Sequence, residues 1–464
     1  MVKYDLIVIG AGPAGYVAAI RAAQLGQKAA IVEKEYLGGV CLNVGCVPSK
    51  SLLKNAEIAN TLRNQGKVFG FSFENLKLDY GAAVKRSRQV SNRLTKGVEF
   101  LMKKNKITVY SGSAVFTSPN SIEISGETGT EKLQADNIII ATGARPFIIP
   151  GIEVDGKQVL TYKEAILQES LPKSVVIVGA GAIGMEFATI WNSYGVQVTV
   201  VEMLDRVLPT EDPEISQELS RALKKQGITT QVKSKVTKVE TLKTKVKVHI
   251  ETPEGEEKIS TDQVLLATSF VPNTQNLGLD EAGVNLDRQG FVEIDGKMAT
   301  NIPGIWAIGD VTGKLMLAHV GMTMGVVCAE NIIGLETEEL NYQNMPRATY
   351  CHPQVASFGL TEQAAKDAGY EVAVGKFNFQ ANGKALGLND YAGWVKIVTD
   401  KKNGEILGAH LIGPEVTELL PELTLAQQME LTPTEIGQNV HAHPTLSEVL
   451  HEAAKAVAGE AIHA

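Results

Sequence analysis

Two glycine-rich turns, each set between a short apolar run and a helix-forming stretch, and a strand-rich C-terminal quarter together predict the fold class. It is α/β, with two Rossmann-like dinucleotide-binding domains and a C-terminal α+β domain. The turns are Gly10-Ala11-Gly12-Pro13-Ala14-Gly15 and Gly179-Ala180-Gly181-Ala182-Ile183-Gly184.

The first unit opens with Tyr4 to Ile9, an apolar run of the kind that forms a buried parallel strand. The turn follows, then an alanine-rich helix to about Leu25 and a strand from Gln27 to Val32 closed by Glu33. In such a βαβ unit Gly10 makes the tight turn, Gly12 lets backbone approach a pyrophosphate, and Gly15 permits close helix packing. The helix N-terminus offers N–H groups to the phosphates. Glu33, 23 residues after Gly10, is placed for a ribose diol.

The second unit repeats the device with a strand Ser174 to Val178, a helix to about Tyr194, a strand Gln197 to Val201, and Glu202, again 23 residues after its first glycine. One such motif is a weak signal, whereas two with an acid at the same offset are strong. The chain should bind two dinucleotides. A carboxylate at Glu202 suits a 2′-hydroxyl and repels a 2′-phosphate, so the second site reads as NAD, with Arg206 the local hint of NADP.

Ile138 to Ile140 with Ala141-Thr142-Gly143 reads as a strand ending in a glycine turn, and Gly304 to Ile308 with Gly309-Asp310 repeats that pattern. Strands are expected at Val355 to Phe358, Trp394 to Val398 and Leu407 to Ile412, an amphipathic helix at about Leu419 to Glu430, and a helix from Ser447. The expected domains are 1–145, 146–273, 274–341 (completing the first site) and 342–464.

At 464 residues the chain exceeds a single core. A net charge of -8 argues against nucleic acid and anionic membrane partners. Four cysteines make no disulfide scaffold, no signal peptide precedes the first strand, and no apolar run reaches spanning length, so a cytoplasmic protein is expected.

Two of those cysteines stand out. In Gly39-Val40-Cys41-Leu42-Asn43-Val44-Gly45-Cys46-Val47-Pro48-Ser49-Lys50, Cys41 and Cys46 can close a small ring and cycle between disulfide and dithiol. Metal pairs run closer together with a second pair or histidines nearby, so no metal is expected. Cys328, in an apolar helical stretch, reads as core; Cys351 has no assigned role.

These blocks, with Gly179 to Glu186 and His441-Ala442-His443-Pro444-Thr445-Leu446-Ser447-Glu448, resemble the flavoprotein disulfide reductases over nearly the whole length. The resemblance is greatest to the members that oxidise dihydrolipoamide and reduce NAD. Ser49 before Lys50 and Glu202 differ from the glutathione-reducing members, and the C-terminus lacks the second redox pair of the mercuric and large thioredoxin-reducing members. Val40 stands where threonine is usual, and Ser269-Phe270 where Gly-Arg is usual, which removes a flexible turn and a cation.

The resemblance implies FAD at Gly10, Gly12, Gly15, Glu33, Thr142, Gly143 and Asp310, and NAD at Gly179, Gly181, Gly184 and Glu202. It implies Cys41 as the thiol that exchanges with substrate and Cys46 as the thiol nearest the flavin. Lys50 would lie beside the flavin and pair with Glu186. His443, oriented by Glu448, would be the base, reaching the disulfide of the other subunit of a homodimer; His441 reads as structural. The implied partner is a lipoyl domain or lipoyl-carrier protein of a 2-oxo acid dehydrogenase or glycine cleavage complex. The alternatives are an NAD(P)H-dependent reductase of another disulfide or a quinone, and a redox-inactive assembly subunit, which would be expected to lose the cysteines or the His-Glu pair.

Overall fold

The structure is a computed structural model that describes residues 2–127 and 129–463. Its chain packs as two units, one formed by Met1–Ser51, Gly81–Phe147 and Ser269–Tyr342, the other by Leu52–Tyr80, Ile148–Thr268 and Gln343–Ala464.

In the first unit, strand Val2–Ile9 lies parallel to Ala29–Glu33 on one side and to Gly129–Ile140 on the other. Thr108–Ser111 extends the sheet beyond Ala29–Glu33, and Ile305–Ala307 adds parallel to Gly129–Ile140. The central strands are buried on both faces, so they read as unbroken apolar runs. Helix Pro13–Gln24 begins with proline, whose fixed φ suits the first turn. Helix Ala318–Ile332 packs closely on it, because a Cβ on Gly325 would come 2.6 Å from Ala14 O.

In the second unit the order is Thr229–Gln231, Gln197–Val201, Ser174–Val178, Gln263–Leu266 and Val159–Leu160, all parallel. An antiparallel sheet of Lys235–Thr241, Val246–Thr252 and Gly255–Thr261 follows the first four-element run. The C-terminal sheet is antiparallel, in the order Arg347–Thr349, Gln354–Gly359, Ile406–Gly413, Trp394–Asp400 and Val372–Asn378. Phe358, Phe379 and Leu411 fill its core with Leu420, Leu423 and Leu450 from helices Val416–Gln428 and Glu448–Val457.

An ionic cluster around the buried Lys396 and Asp212 joins this sheet to helix Pro213–Lys225. The Lys396 side chain, 3% exposed, meets Asp212 at 3.2 Å, Glu214 at 2.6 Å and Glu362 at 3.1 Å. Burial alone would lower the Lys396 ammonium, but Glu214, Asp212 and Glu362 outweigh it and raise it above its ordinary value. For Glu214, burial pushes the carboxyl up, yet Lys376 and Lys396 hold it below its ordinary 4.5. Lys366 and then Lys396 do the same for Glu362. A lysine raised in the fold contributes fully at neutral and acid pH. Carboxyls held low contribute above pH 4.5 and lose that contribution as pH falls through the lowered values. The melting temperature should therefore fall as pH drops below 4.5, and Glu362→Gln should flatten that decline while lowering stability at neutral pH; thermal unfolding across pH measures both.

Candidate active site

Both glycine turns have one geometry. Gly10 and Gly179 each have φ of 106°, which a side chain would strain. A Cβ on Gly15 would lie 1.9 Å from Gly10 O, and one on Gly184 2.1 Å from Gly179 O, so the third glycine permits the helix to seat on the turn. A Cβ on Gly12 or Gly181 would meet no protein atom within 4 Å. Those two positions open onto space at the N-terminus of a twelve-residue helix, the place a pyrophosphate occupies, and a side chain there would fill the cradle.

The two acids are held alike. Glu33 Oε2 accepts the Ala11 N–H at 2.7 Å, and Oε1 accepts those of Lys34 and Glu35 at 2.8 Å. Glu202 Oε2 accepts the Ala180 N–H at 2.7 Å and Oε1 that of Leu204 at 2.8 Å. Each carboxylate is thus fixed by its own turn and keeps lone pairs for a ribose diol. Arg206 donates to Asp205 at 3.4 Å and to Pro209 O at 3.1 Å, within its own loop.

Cys41 lies in helix Gly39–Val44, and Cys46 opens helix Cys46–Asn64. Gly45 separates them, and a Cβ there would come 2.9 Å from Val40 O. The helix break can therefore fold tightly enough for the two thiols to meet. The Cys41 thiol is held well above its ordinary value, first by its hydrogen bond with Cys46, then by burial; the nearby Lys50 charge acts against both. Lys50, four residues after Cys46 in the same helix, stands on that cysteine's face.

Two residues that were not singled out from sequence support the pair. Asn43, buried between the cysteines, donates to Leu37 O at 3.0 Å and Gly39 O at 2.9 Å and accepts from Thr95 at 3.2 Å. Tyr16, from the first turn's helix, has its phenol pushed up by burial and then by the neighbouring Cys41. An asparagine inside a short apolar block is the one signal that pointed to either. Ser49 Oγ donates to Cys46 O at 3.0 Å.

Asp310 lies in a short 3-10 turn, Gly309–Thr312, and burial pushes its carboxyl up to about 6. Thr142 donates to Asn273 O at 2.8 Å, closing a ribbon rather than presenting its hydroxyl outward. The ribbon pairs Ala144–Pro146 with Phe270–Pro272. Where the departure at Ser269-Phe270 removed a cation, Arg145 on the facing strand supplies one, donating to Pro272 O at 2.6 Å.

In the second unit Glu186 is buried and accepts the Tyr350 N–H at 3.2 Å. His443 Nδ1 lies 2.9 Å from Glu448 Oε1, and Glu448 Oε2 accepts the Thr445 N–H at 2.8 Å. Burial pushes the Glu448 carboxyl up, but Thr445 and His443 outweigh it and hold it below its ordinary value. With Nδ1–H donating to the carboxylate, Nε2 carries the lone pair, and the ring is 78% exposed. His441, 5% exposed, spends both nitrogens on Asn439 O and Glu422. Cys328 and Cys351 are buried thiols.

Residues 4–325 match the family model described as pyridine nucleotide-disulphide oxidoreductase, and residues 345–454 match the dimerisation domain of that family. A dihydrolipoyl dehydrogenase of Mycobacterium leprae is 51% identical, with all of both chains covered. One from Corynebacterium glutamicum is 48% identical over 99% of each chain. Among solved structures, LpdA of Mycobacterium tuberculosis superposes with a TM-score of 0.90 at 26% identity, covering 98% of this chain and 99% of that one. The HOCl-induced flavoprotein disulfide reductase RclA of Escherichia coli gives 0.86 at 26% identity, covering 96% and 98%. No helix among the described residues is long and apolar enough to cross a membrane.

Two substitutions separate the nucleotide cradles. Gly12→Ala and Gly181→Ala meet no protein atom, so both should fold with near-wild-type melting temperatures. Gly12→Ala should weaken flavin retention, whereas Gly181→Ala should retain flavin and lose roughly 10- to 100-fold in NAD affinity, read by flavin content and calorimetric titration. Glu448→Gln should keep the fold and lower kcat by roughly 10- to 100-fold, measured in steady state with wild-type substrates.

Proposed function

The chain belongs to the pyridine nucleotide-disulphide oxidoreductase family and, within it, to the dihydrolipoyl dehydrogenases, and from that premise we propose that it oxidises dihydrolipoamide to lipoamide and reduces NAD to NADH. The observation that carries this reading is the Cys41–Cys46 thiol pair in a segment tied to the turn that forms the first dinucleotide cradle: three residues before Cys41, the Gly38 N–H donates to Ala11 O at 2.8 Å. FAD and NAD are its cofactors; when bound, they supply the two-electron link between the thiols and the pyridine ring.

The residues divide the work. Gly10, Gly12, Gly15, Glu33, Thr142, Gly143 and Asp310 would hold FAD, and Gly179, Gly181, Gly184 and Glu202 would hold NAD. In the exchange step the substrate dithiol, as a thiolate, attacks the sulfur of Cys41 in the Cys41–Cys46 disulfide. The S–S bond breaks, and Cys46 leaves as thiolate. The second substrate thiol then attacks the mixed disulfide, releasing lipoamide and leaving two reduced cysteines. Both substrate protons must be removed, because thiolate is the nucleophile.

The partner subunit's His443 takes those protons in a homodimer. The reading is supported by the ring's exposure, by the Glu448 carboxylate on Nδ1, and by the dimerisation domain. Such a base supplies typically 10²- to 10⁴-fold in rate. Lys50 and Glu186 are proposed as the charges that serve the flavin. The physiological substrate is proposed to be a lipoyl group carried on a protein of a multienzyme complex, and the compartment cytoplasmic.

The experiment mixes purified holoenzyme anaerobically with dihydrolipoamide and then NAD. Wild-type enzyme should form one NADH per dihydrolipoamide. Cys41→Ser and Cys46→Ser should abolish NADH formation, and His443→Gln should slow it by roughly 10²-fold or more. Failure of dihydrolipoamide to reduce a wild-type enzyme that NADH still reduces would sink the reading in favour of another disulfide.

A further inference from the structure

The segment 203–212 follows Glu202 and leads into helix Pro213–Lys225, and it is held at both ends. At its near end the Leu208 N–H donates to Ala180 O at 2.9 Å, so the turn residue that binds Glu202 through its N–H binds this segment through its carbonyl. Leu208 sits at φ 44°, a left-handed conformation that strains a non-glycine residue and persists only where the surroundings impose it.

The far end shows what imposes it. Glu211 and Asp212 are buried. Glu211 Oε2 accepts the Ser357 hydroxyl at 2.6 Å, and Asp212 meets Lys396 at 3.2 Å while capping the following helix through the Glu214 N–H at 2.9 Å. Ser357 and Lys396 lie on the two strands that flank Ile406–Gly413 in the C-terminal sheet, each directly opposite His410 in register, so both project from one face. Two buried carboxylates are thus tied to that sheet, and removing a partner from either leaves an unsatisfied buried group.

We propose that Ser357 and Lys396 are positioning residues for the pyridine nucleotide: through Glu211 and Asp212 they hold the 203–212 segment against Ala180 and so fix the Glu202 carboxylate that receives the ribose. This rests on the assignment of the second cradle to NAD. Glu202 Oε1 takes its bond from Leu204 inside the segment, so a segment that drifts releases one oxygen of the ribose acceptor.

The test compares wild-type holoenzyme with Ser357→Ala, Lys396→Met and Lys396→Arg. NAD dissociation constants come from calorimetry, KM values for NAD and dihydrolipoamide from steady state, and reduction by dihydrolipoamide alone from rapid mixing without NAD. Ser357→Ala should raise the Kd and KM for NAD roughly tenfold and leave reduction by dihydrolipoamide unchanged, and Lys396→Arg should retain most of the affinity that Lys396→Met loses. If Lys396→Met does not fold, Ser357→Ala decides. A folded Ser357→Ala with wild-type NAD affinity overturns the proposal, as does a parallel loss in the dihydrolipoamide step, which would mark a purely structural role. A wild-type enzyme that binds NAD but does not oxidise dihydrolipoamide refutes the substrate assignment, while weaker NAD binding by Ser357→Ala still supports this one.

Discussion

One alanine in each glycine turn is bonded in both directions, and the functional parts of each unit depend on that clamp. Ala11 gives its N–H to Glu33 and its carbonyl to Gly38, the residue that starts the cysteine block. Ala180 gives its N–H to Glu202 and its carbonyl to Leu208. A glycine at φ 106° makes the bend that exposes these groups, and a glycine five residues later lets the helix close over them. The same backbone unit therefore fixes the carboxylate proposed as ribose acceptor and launches a second segment. In one unit that segment carries the Cys41–Cys46 pair; in the other it carries the link to the C-terminal sheet.

Charge is treated differently in the places where it holds structure and the places where it does chemistry. Lys396 and Asp212 are buried together, with Glu362 half-buried beside them, and the three satisfy one another. His443 has its carboxylate partner beneath it and its other nitrogen toward solvent. Burial of a charge is tolerated where the partner is permanent, whereas a base that must gain and lose protons stays accessible on one side. His441, two residues away, has both nitrogens occupied, and the contrast comes from the partners alone.

Much of this was legible in the sequence, and the reasons are local. Strands Ser174–Val178 and Gln197–Val201 match their expected limits because a strand buried on both faces is an unbroken apolar run closed by a turn glycine or an acid. The helix expected from Leu419 begins at Val416, because Glu415 before it is left-handed and no side chain caps the turn. The 25-residue helix Tyr80–Lys104 was not read because its outer face is charged and its apolar stripe narrow. The sheet 235–261 was missed because its lysines and glutamates hide the alternation. Pro48 falls in the first turn of helix Cys46–Asn64, where a proline costs no hydrogen bond. Glycines and acids at fixed offsets announced the cradles. The Asn43–Thr95 and Ser357–Glu211 contacts could not be read, because each joins residues distant in sequence.

The thiol pair then poses a proton problem that the fold answers. Closing two helices around Gly45 brings Cys41 and Cys46 within hydrogen-bonding reach, and the same closeness, with burial, makes the Cys41 proton hard to remove. Proximity gains a fast intramolecular disulfide and costs acidity. A cation alone does not settle this: Lys50 lowers the Cys41 thiol, but the hydrogen bond and burial outweigh it. The base that takes the substrate protons must therefore be another group brought to the pair. The Glu448 carboxylate, itself held by the Thr445 N–H, orients the His443 ring before any substrate arrives. A Cys41 thiol reluctant to ionise and an exposed imidazole already oriented are the two halves of the proposed exchange, in which a homodimer would bring one chain's base to the other's thiols.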